Sequence, residues 1–223
     1  MSTPIHLVVF DFDGTLVDSN TIKRDAFYKL PPADTSFHAL LDDYMKENYT
    51  ATCQEILTAV CSTYYDDPDQ ARQAIEDGVQ GYGETTTRMV IDAPAIDGAE
   101  DMFQALKDQG CTLALNSGTP KDALQDIVTG RDWDHWFSAV LGAPISKAEN
   151  ILALTQQLGI TPQNAVMVGD RETDRDGATG AGCHFVGLTR PDNDFKSRPD
   201  NMVEGLADLP HFIERSWGFA LKD

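Results

Sequence analysis

With 223 residues, 41% of them apolar, the chain is long enough for a core of about 130 to 150 residues that carries an insertion. Seventeen basic residues stand against thirty-six acidic ones, and the net charge of −19 repels nucleic acid and anionic membrane surfaces alike. No apolar run approaches the roughly eighteen residues of a membrane span, no basic leader opens the sequence, and Cys53, Cys61, Cys111 and Cys183 form no CxxC pair, so a cytoplasmic protein with reduced thiols is expected.

The first element is the apolar run Leu7-Val8-Val9-Phe10, closed by Asp11-Phe12-Asp13-Gly14-Thr15. A short unbroken apolar run ending in a turn signal predicts a strand covered on both faces, as in a parallel sheet between helices. Asp11 then stands at a strand's carboxyl end, the edge at which open α/β sheets bind ligands. Gly14 lets the backbone turn sharply there.

After this the period changes. Ile22, Ala26, Phe27 and Leu30 recur at helical spacing until Pro31-Pro32 breaks the run. Asp34 is placed to cap a second helix with Phe37, Leu40, Leu41, Tyr44 and Met45 on one face. A third set runs from Cys53 through Ile56, Leu57, Val60 and Cys61 to Tyr64. The fourth starts at Pro68, continues through Ala71, Ala74 and Ile75, and weakens around Gly78, Gly81 and Gly83. Residues 19–92 are therefore expected to form an all-helical domain inserted into an α/β core domain made of 1–18 and 93–223.

Beyond Pro94 strands and helices alternate. A helix carrying Ala99, Met102, Phe103 and Leu106 stops at Gly110, and a strand over 111–116 leads to Asn116-Ser117-Gly118-Thr119. A helix from Pro120, with Leu124, Ile127 and Val128 inside, is expected to end at Gly130. Trp133, Trp136 and Phe137 read as an aromatic core plug before a strand over 139–141. Ser146-Lys147-Ala148-Glu149 is a capping box, which puts Lys147 in the first turn of a helix running to Gly159. A cation at that end opposes the helix dipole, and such local conflict marks functional positions. Residues 165–169 form a strand that ends at Asp170; a helix follows over 171–181, closed by Gly182, then a strand over 183–188, a surface loop over 190–201 and a last helix over 206–217.

The stretch DFDGTLVDS resembles the first motif of the haloacid dehalogenase superfamily. Three further stretches match in the expected order, Asn116-Ser117-Gly118-Thr119, Lys147, and Gly169-Asp170 with Asp174, each after its own apolar run. The helical insertion straight after the first motif is similar to the cap of the phosphoglycolate phosphatase and β-phosphoglucomutase-like branch. The resemblance implies a Rossmann-like α/β fold and a Mg²⁺-dependent phosphatase that cleaves a small-molecule phosphate monoester through an aspartyl-phosphate.

It also implies roles. Asp11 is the nucleophile and Asp13 the general acid and base, whose proton affinity a neighbouring carboxylate should raise. Ser117 and Gly118 bind the phosphoryl oxygens, and Lys147 adds a fixed positive charge there. Asp11, Asp170 and the backbone carbonyl of Asp13 are the expected Mg²⁺ ligands, and Asp174 either holds a metal-bound water or steadies Lys147. Thr15, Asp18, Asn116 and Thr119 are expected to bond loops rather than substrate, and the cap's basic residues Lys23, Arg24, His38, Lys46, Arg72 and Arg88 are candidates for reading an anionic substrate. The acid at Asp13 sets the chain apart from the dehalogenase and phosphonate-cleaving branches. It leaves a sugar-phosphate mutase as the alternative, and a phospho-receiver signalling module as the alternative from another class. The sequence points to no oligomeric state.

Overall fold

A computed structural model describes residues 4–48 and 51–220. The chain divides into two compact units, one of Met1–Asp18 with Ala93–Asp223 and one of Ser19–Asp92.

The first unit is built on a parallel sheet in which β1 (Leu7–Phe10) lies between β2 (Thr112–Pro120) and β4 (Ala165–Gly169). Beyond β2 lies β3 (Ala139–Ala143), and beyond β4 lie β5 (His184–Leu188) and β6 (Met202–Val203), giving the order β3-β2-β1-β4-β5-β6. The strand order reverses beside β1, which makes the carboxyl edge at β1 the crevice of the fold. Register fixes what meets there: Phe10 pairs with Leu115 on one side and Val168 on the other, so Asp11, Asn116 and Gly169 lie level with one another. All four β1 residues are buried, which is why the strand reads as a plain apolar run rather than an alternating one.

The strands are joined through α5 (Ala99–Asp108), α6 (Lys121–Gly130), α7 (Lys147–Leu158) and α8 (Glu172–Ala181), and α9 (Leu209–Ser216) closes the unit. Ile151 and Leu154 of α7 pack with Ala178 and Ala181 of α8 on Leu7, Val9, Ala114 and Met167. Elsewhere in the core Phe103 meets Phe10, Trp133, Trp136 and Phe137 at ring-centroid distances of 5.1 to 5.8 Å, so the aromatic plug is indeed core packing.

Several boundaries differ from the sequence reading. β2 runs on to Pro120 through a register shift between Asn116 and Pro120. Gly142 makes room for that irregular end, because a Cβ there would lie 2.5 Å from the Thr119 carbonyl. α6 does end at Gly130 as expected, but the left-handed turn after it falls on Asp132, at φ 58°. Gly110, Gly159 and Gly182 do adopt positive φ where a helix stop was expected. β6 and a 3₁₀ turn, Leu206–Asp208, ahead of α9 carry too few residues to leave a periodic signal.

The second unit contains α1 (Asn20–Phe27), α2 (Thr35–Glu47), α3 (Cys53–Tyr64) and α4 (Pro68–Ile91). Asp34 Oδ1 accepts from the N–H groups of Ser36 and Phe37, the cap its position implies. Phe27, Leu30, Phe37, Leu41, Ile56, Leu57, Val60 and Cys61 form its core. α4 passes unbroken through Gly78, Gly81 and Gly83, where periodicity fades. Gly78 is where Leu57 comes close, with its Cδ1 3.1 Å from the place of a Cβ, so close packing replaces the missing apolar side chain.

Candidate active site

Asp11 follows β1 directly, and its N–H donates to the Val168 carbonyl at 2.8 Å, which extends the ladder by one step and fixes the side chain's origin. The loop beyond it closes on itself, Gly14 N–H to the Val17 carbonyl at 2.8 Å, with Gly14 at φ 79°. That conformation favours glycine.

Lys147 is brought to Asp11 from the first turn of α7. Ser146 and Glu149 close the capping box, so the helix start is set by local bonds. Its Nζ donates to Asp11 Oδ1 at 2.6 Å and also to Asp174 Oδ1. α8 approaches closely at this point: a Cβ at Gly177 would lie 2.7 Å from Lys147 Cβ. The dipole conflict visible in the sequence is answered by these two carboxylates.

Asp170 and Asp174 come from the end of β4 and the first turn of α8. Asp170 is fully buried; its Oδ1 accepts from the Thr15 hydroxyl at 3.0 Å, and the Arg171 guanidinium lies 3.4 Å from Oδ2. Asp174 Oδ2 accepts from the N–H of Arg171 at 2.9 Å, capping the helix while Oδ1 holds Lys147. Gly169 is required for this, since a Cβ there would fall 2.2 Å from Asp174 Oδ2.

Asp13 turns its carboxylate elsewhere. Oδ2 accepts from the Thr119 hydroxyl at 2.9 Å and from Ser117 Oγ at 3.4 Å, and Thr119 N–H in turn donates to Ser117 Oγ at 3.1 Å. The two acids of the first motif thus sit in different surroundings, one with Lys147 and one with hydroxyls. Ser117 is buried, while Gly118 is exposed on the same strand end.

Electrostatics separates the groups further. Burial, then the nearby charge of Asp174, pushes the Asp11 carboxyl well above the usual range, against the pull of Lys147. Burial and Asp174 likewise raise Asp170 to about 7, opposed by Arg171 and by the Thr15 hydrogen bond. Burial alone would lower Lys147, but Asp11 and Asp174 outweigh it and hold the ammonium charged. Carboxylate oxygens of Asp11, Asp170 and Asp174 lie within 4.8 Å of one another. Such a set of hard oxygen donors, still short of positive charge after Lys147 and Arg171 are counted, fits a hard divalent cation.

Some of the supporting bonds were not legible. Asn193, in the stretch read as a plain surface loop, donates from Nδ2 to the Asp170 carbonyl at 2.6 Å and to the Leu188 carbonyl at 3.2 Å. Asp194 Oδ1 accepts from the Glu172 N–H at 2.6 Å and Asp192 pairs with Arg171 at 2.8 Å, so the loop grips the start of α8. The cluster of Asn and Asp over 192–194 after a proline is the only sequence signal for this. Among the cap candidates, Arg24 and Lys46 line a groove of the helical unit with Asp25, Tyr28, Asp42 and Met45.

Comparison with known proteins identifies the family. A phosphoglycolate phosphatase of Aliivibrio fischeri is 26% identical over 93% of this chain and 94% of its own. A crystal structure described as a predicted phosphoglycolate phosphatase from Haemophilus somnus 129pt superposes with a TM-score of 0.70 at 25% identity, over 92% of this chain and 96% of its own. The CbbY protein of Rhodobacter sphaeroides, solved in complex with xylulose-(1,5)bisphosphate, has a TM-score of 0.71 at 20% identity, over 92% of this chain and 96% of its own, and speaks for the fold. Residues 5–182, a span that holds every strand end described above from β1 to β4, match the haloacid dehalogenase-like hydrolase family, and the chain belongs to it.

Proposed function

We propose that this hydrolase is a Mg²⁺-dependent phosphatase that cleaves a small-molecule phosphate monoester through an aspartyl-phosphate on Asp11, with residues 19–92 as the cap domain that carries substrate specificity. The observation that carries the reading is the separation of the two first-motif acids, Asp11 on Lys147 at 2.6 Å and Asp13 on Thr119 at 2.9 Å. That difference supports the reading of one acid as the attacking group and the other as the proton carrier.

An Asp11 oxygen attacks phosphorus and the bond to the substrate's alcohol oxygen breaks, while protonated Asp13 delivers its proton to that oxygen. Asp13, now a carboxylate, takes a proton from the water that attacks the phosphoryl group, releasing inorganic phosphate and restoring Asp11. Lys147 stays charged throughout and stabilises the negative charge spread over the phosphoryl oxygens, helped by the Ser117 hydroxyl and the Gly118 N–H. Asp174 holds Lys147 in line, and Thr15, Arg171 and Asn193 hold Asp170. Asp11, Asp170 and the Asp13 carbonyl would hold Mg²⁺, which supplies the positive charge that lets a carboxylate approach a phosphate dianion.

The substrate is a small phosphate ester, and the names of the relatives make phosphoglycolate the first to try; nucleic acid and membranes are not partners, and the protein works in the cytoplasm. The test is a screen of phosphate monoesters, including phosphoglycolate and sugar phosphates, with Mg²⁺ or EDTA, beside Asp11→Asn. Release of phosphate that EDTA abolishes and Asp11→Asn lowers by about 10³-fold or more is expected. Activity unchanged in Asp11→Asn would remove the nucleophile. Isomerisation of a sugar phosphate without steady phosphate release would put the mutase in its place.

A further inference from the structure

We propose that Asn150 is a positioning residue for Lys147, acting through the buried side chain of Asn116. Lys147 owes its place to more than its capping box. Asn116, fully buried in β2, donates from Nδ2 to the Lys147 backbone carbonyl at 2.9 Å. Asn150, one turn further along α7 and also buried, donates from its own Nδ2 to Asn116 Oδ1 at 3.0 Å and to the Ile145 carbonyl at 3.4 Å.

The order of these bonds decides the chemistry. A side-chain amide has one accepting and one donating end. The Ile145 carbonyl, which can only accept, turns the Nδ2 end of Asn150 toward Asn116, so Asn150 claims the oxygen of Asn116 and the NH₂ of Asn116 faces Lys147. Without Asn150 only the Lys147 carbonyl would orient the Asn116 amide, whose buried oxygen would be left without this donor and whose hold on the first turn of α7 would loosen. The two amides thus tie the first turn of α7 to the residue directly before Ser117. The same contact sets the ammonium relative to Asp11 and relative to the hydroxyl that faces the phosphoryl group.

Burying two amides is costly unless both are bonded, and two apolar side chains of similar volume would fill the space with no such demand. Directional bonding is what the pair adds over hydrocarbon. Asn150 was absent from the sequence reading because it sits in α7 where a core residue belongs, and only the structure shows its partner.

This inference rests on the proposed phosphatase for its kinetic arm, and a second arm is independent of that reading. Asn150→Leu leaves Asn116 Oδ1 buried and unbonded, whereas Asn116→Leu with Asn150→Leu removes both demands. If the amides serve packing alone, the double variant should regain wild-type melting temperature and wild-type turnover together. We expect it to regain stability yet turn over substrate about tenfold more slowly than wild type, with KM changed less than about threefold.

The independent arm is acetylation of Lys147 by acetic anhydride, followed by peptide mass spectrometry on wild type and double variant. An ammonium held by two carboxylates is slow to react, and a Lys147 released from register should be acetylated about fivefold faster or more. Equal acetylation rates in the folded proteins would overturn the proposal whatever the substrate proves to be. Should the double variant not fold, Asn150→Asp gives the same readout: an ionised carboxylate cannot donate to Asn116 Oδ1, so Lys147 reactivity should exceed wild type at neutral pH and approach it in acid, and parallel profiles would refute the role. Loss of phosphatase activity in every protein, with faster acetylation of Lys147 retained in the variant, would sink the proposed function and leave the positioning role standing.

Discussion

Asp11 and Asp174, which lie far apart in sequence, share a single ammonium: Lys147 Nζ donates to Oδ1 of each. Removing it should therefore act twice. Lys147→Met leaves buried carboxylates facing one another with no cation between them, and breaking a buried ion pair from one side costs about 3–5 kcal/mol before protonation relieves part of it. Turnover should fall by about 10²-fold or more, as for other losses of a preorganised charge. Steady-state kinetics beside thermal denaturation checks both; a variant with near-normal turnover would show that the lysine is structural only.

Asp11→Asn should separate activity from stability. The carboxyl of Asp11 is held above its usual range first by burial and then by Asp174, so its ionised form is unfavourable in the fold. A neutral amide of the same shape removes that burden, and the metal-free variant should melt at a higher temperature than metal-free wild type while losing turnover. A lower melting temperature in EDTA at neutral pH would contradict the electrostatic account of this site.

The acids also set a pH dependence. Asp170 is raised to about 7 and Asp11 is raised too, so in the metal-free protein both favour folding while protonated. For an acid with a raised folded pKa, that stability is fully present below the unfolded pKa near 3.8 and is lost as pH rises toward about 7. A divalent cation supplies charge where the protons leave, so the gain in melting temperature on adding Mg²⁺ should be larger at about pH 8 than at about pH 5. Denaturation scans with Mg²⁺ and with EDTA across that range decide it, and an equal gain at both ends would sever the cation from these carboxylates.

Much of this site was legible because a parallel strand buried on both faces must be apolar throughout, and the residue after it stands at the ligand edge. Leu7–Phe10 before Asp11 and Ala165–Gly169 before Asp170 both follow that rule, and the Ser146 capping box placed Lys147 on a helix start. What escaped were bonds between distant segments. Asn193 reaches Asp170 from the loop after β5, and Asn150 reaches Asn116 from α7. An asparagine has the same letter whether it bonds water or a buried carbonyl, and periodicity carries no trace of the difference. The second half of α4 faded for another reason, since glycine where Leu57 packs close looks locally like a breaker.

Asn193→Ala should loosen Asp170 without touching its carboxylate. The amide ties the Asp170 carbonyl to the Leu188 carbonyl, linking the ends of β4 and β5, and it accepts from the Arg190 N–H at 2.9 Å. Losing a partner that orients a metal-binding group lowers metal affinity by about 10–100-fold. Calorimetric titration with Mg²⁺ should show that loss with the folded state intact, and an unchanged affinity would reduce the 190–201 loop to a cover.

Two glycine-to-alanine substitutions in helices should move stability in opposite directions. Gly83 in α4 has nothing within 4 Å of the place a Cβ would take, so alanine adds helix propensity alone and should stabilise by about 0.5–1 kcal/mol. Gly177 in α8 has the same propensity to gain, but its Cβ would lie 2.7 Å from Lys147 Cβ, an atom fixed by the backbone of α7. Relieving that overlap means pushing α7 and α8 apart at the lysine, and overpacking of this kind costs about 1–3 kcal/mol, more than propensity returns. Gly177→Ala should therefore lower the melting temperature and turnover together, while Gly83→Ala raises the first. Because the displacement begins at Lys147, kcat should fall further than the stability loss alone would explain at a temperature where both proteins are folded. A Gly177→Ala enzyme with normal kcat would mean that the ammonium reaches Asp11 and Asp174 independently of how tightly α7 and α8 are packed.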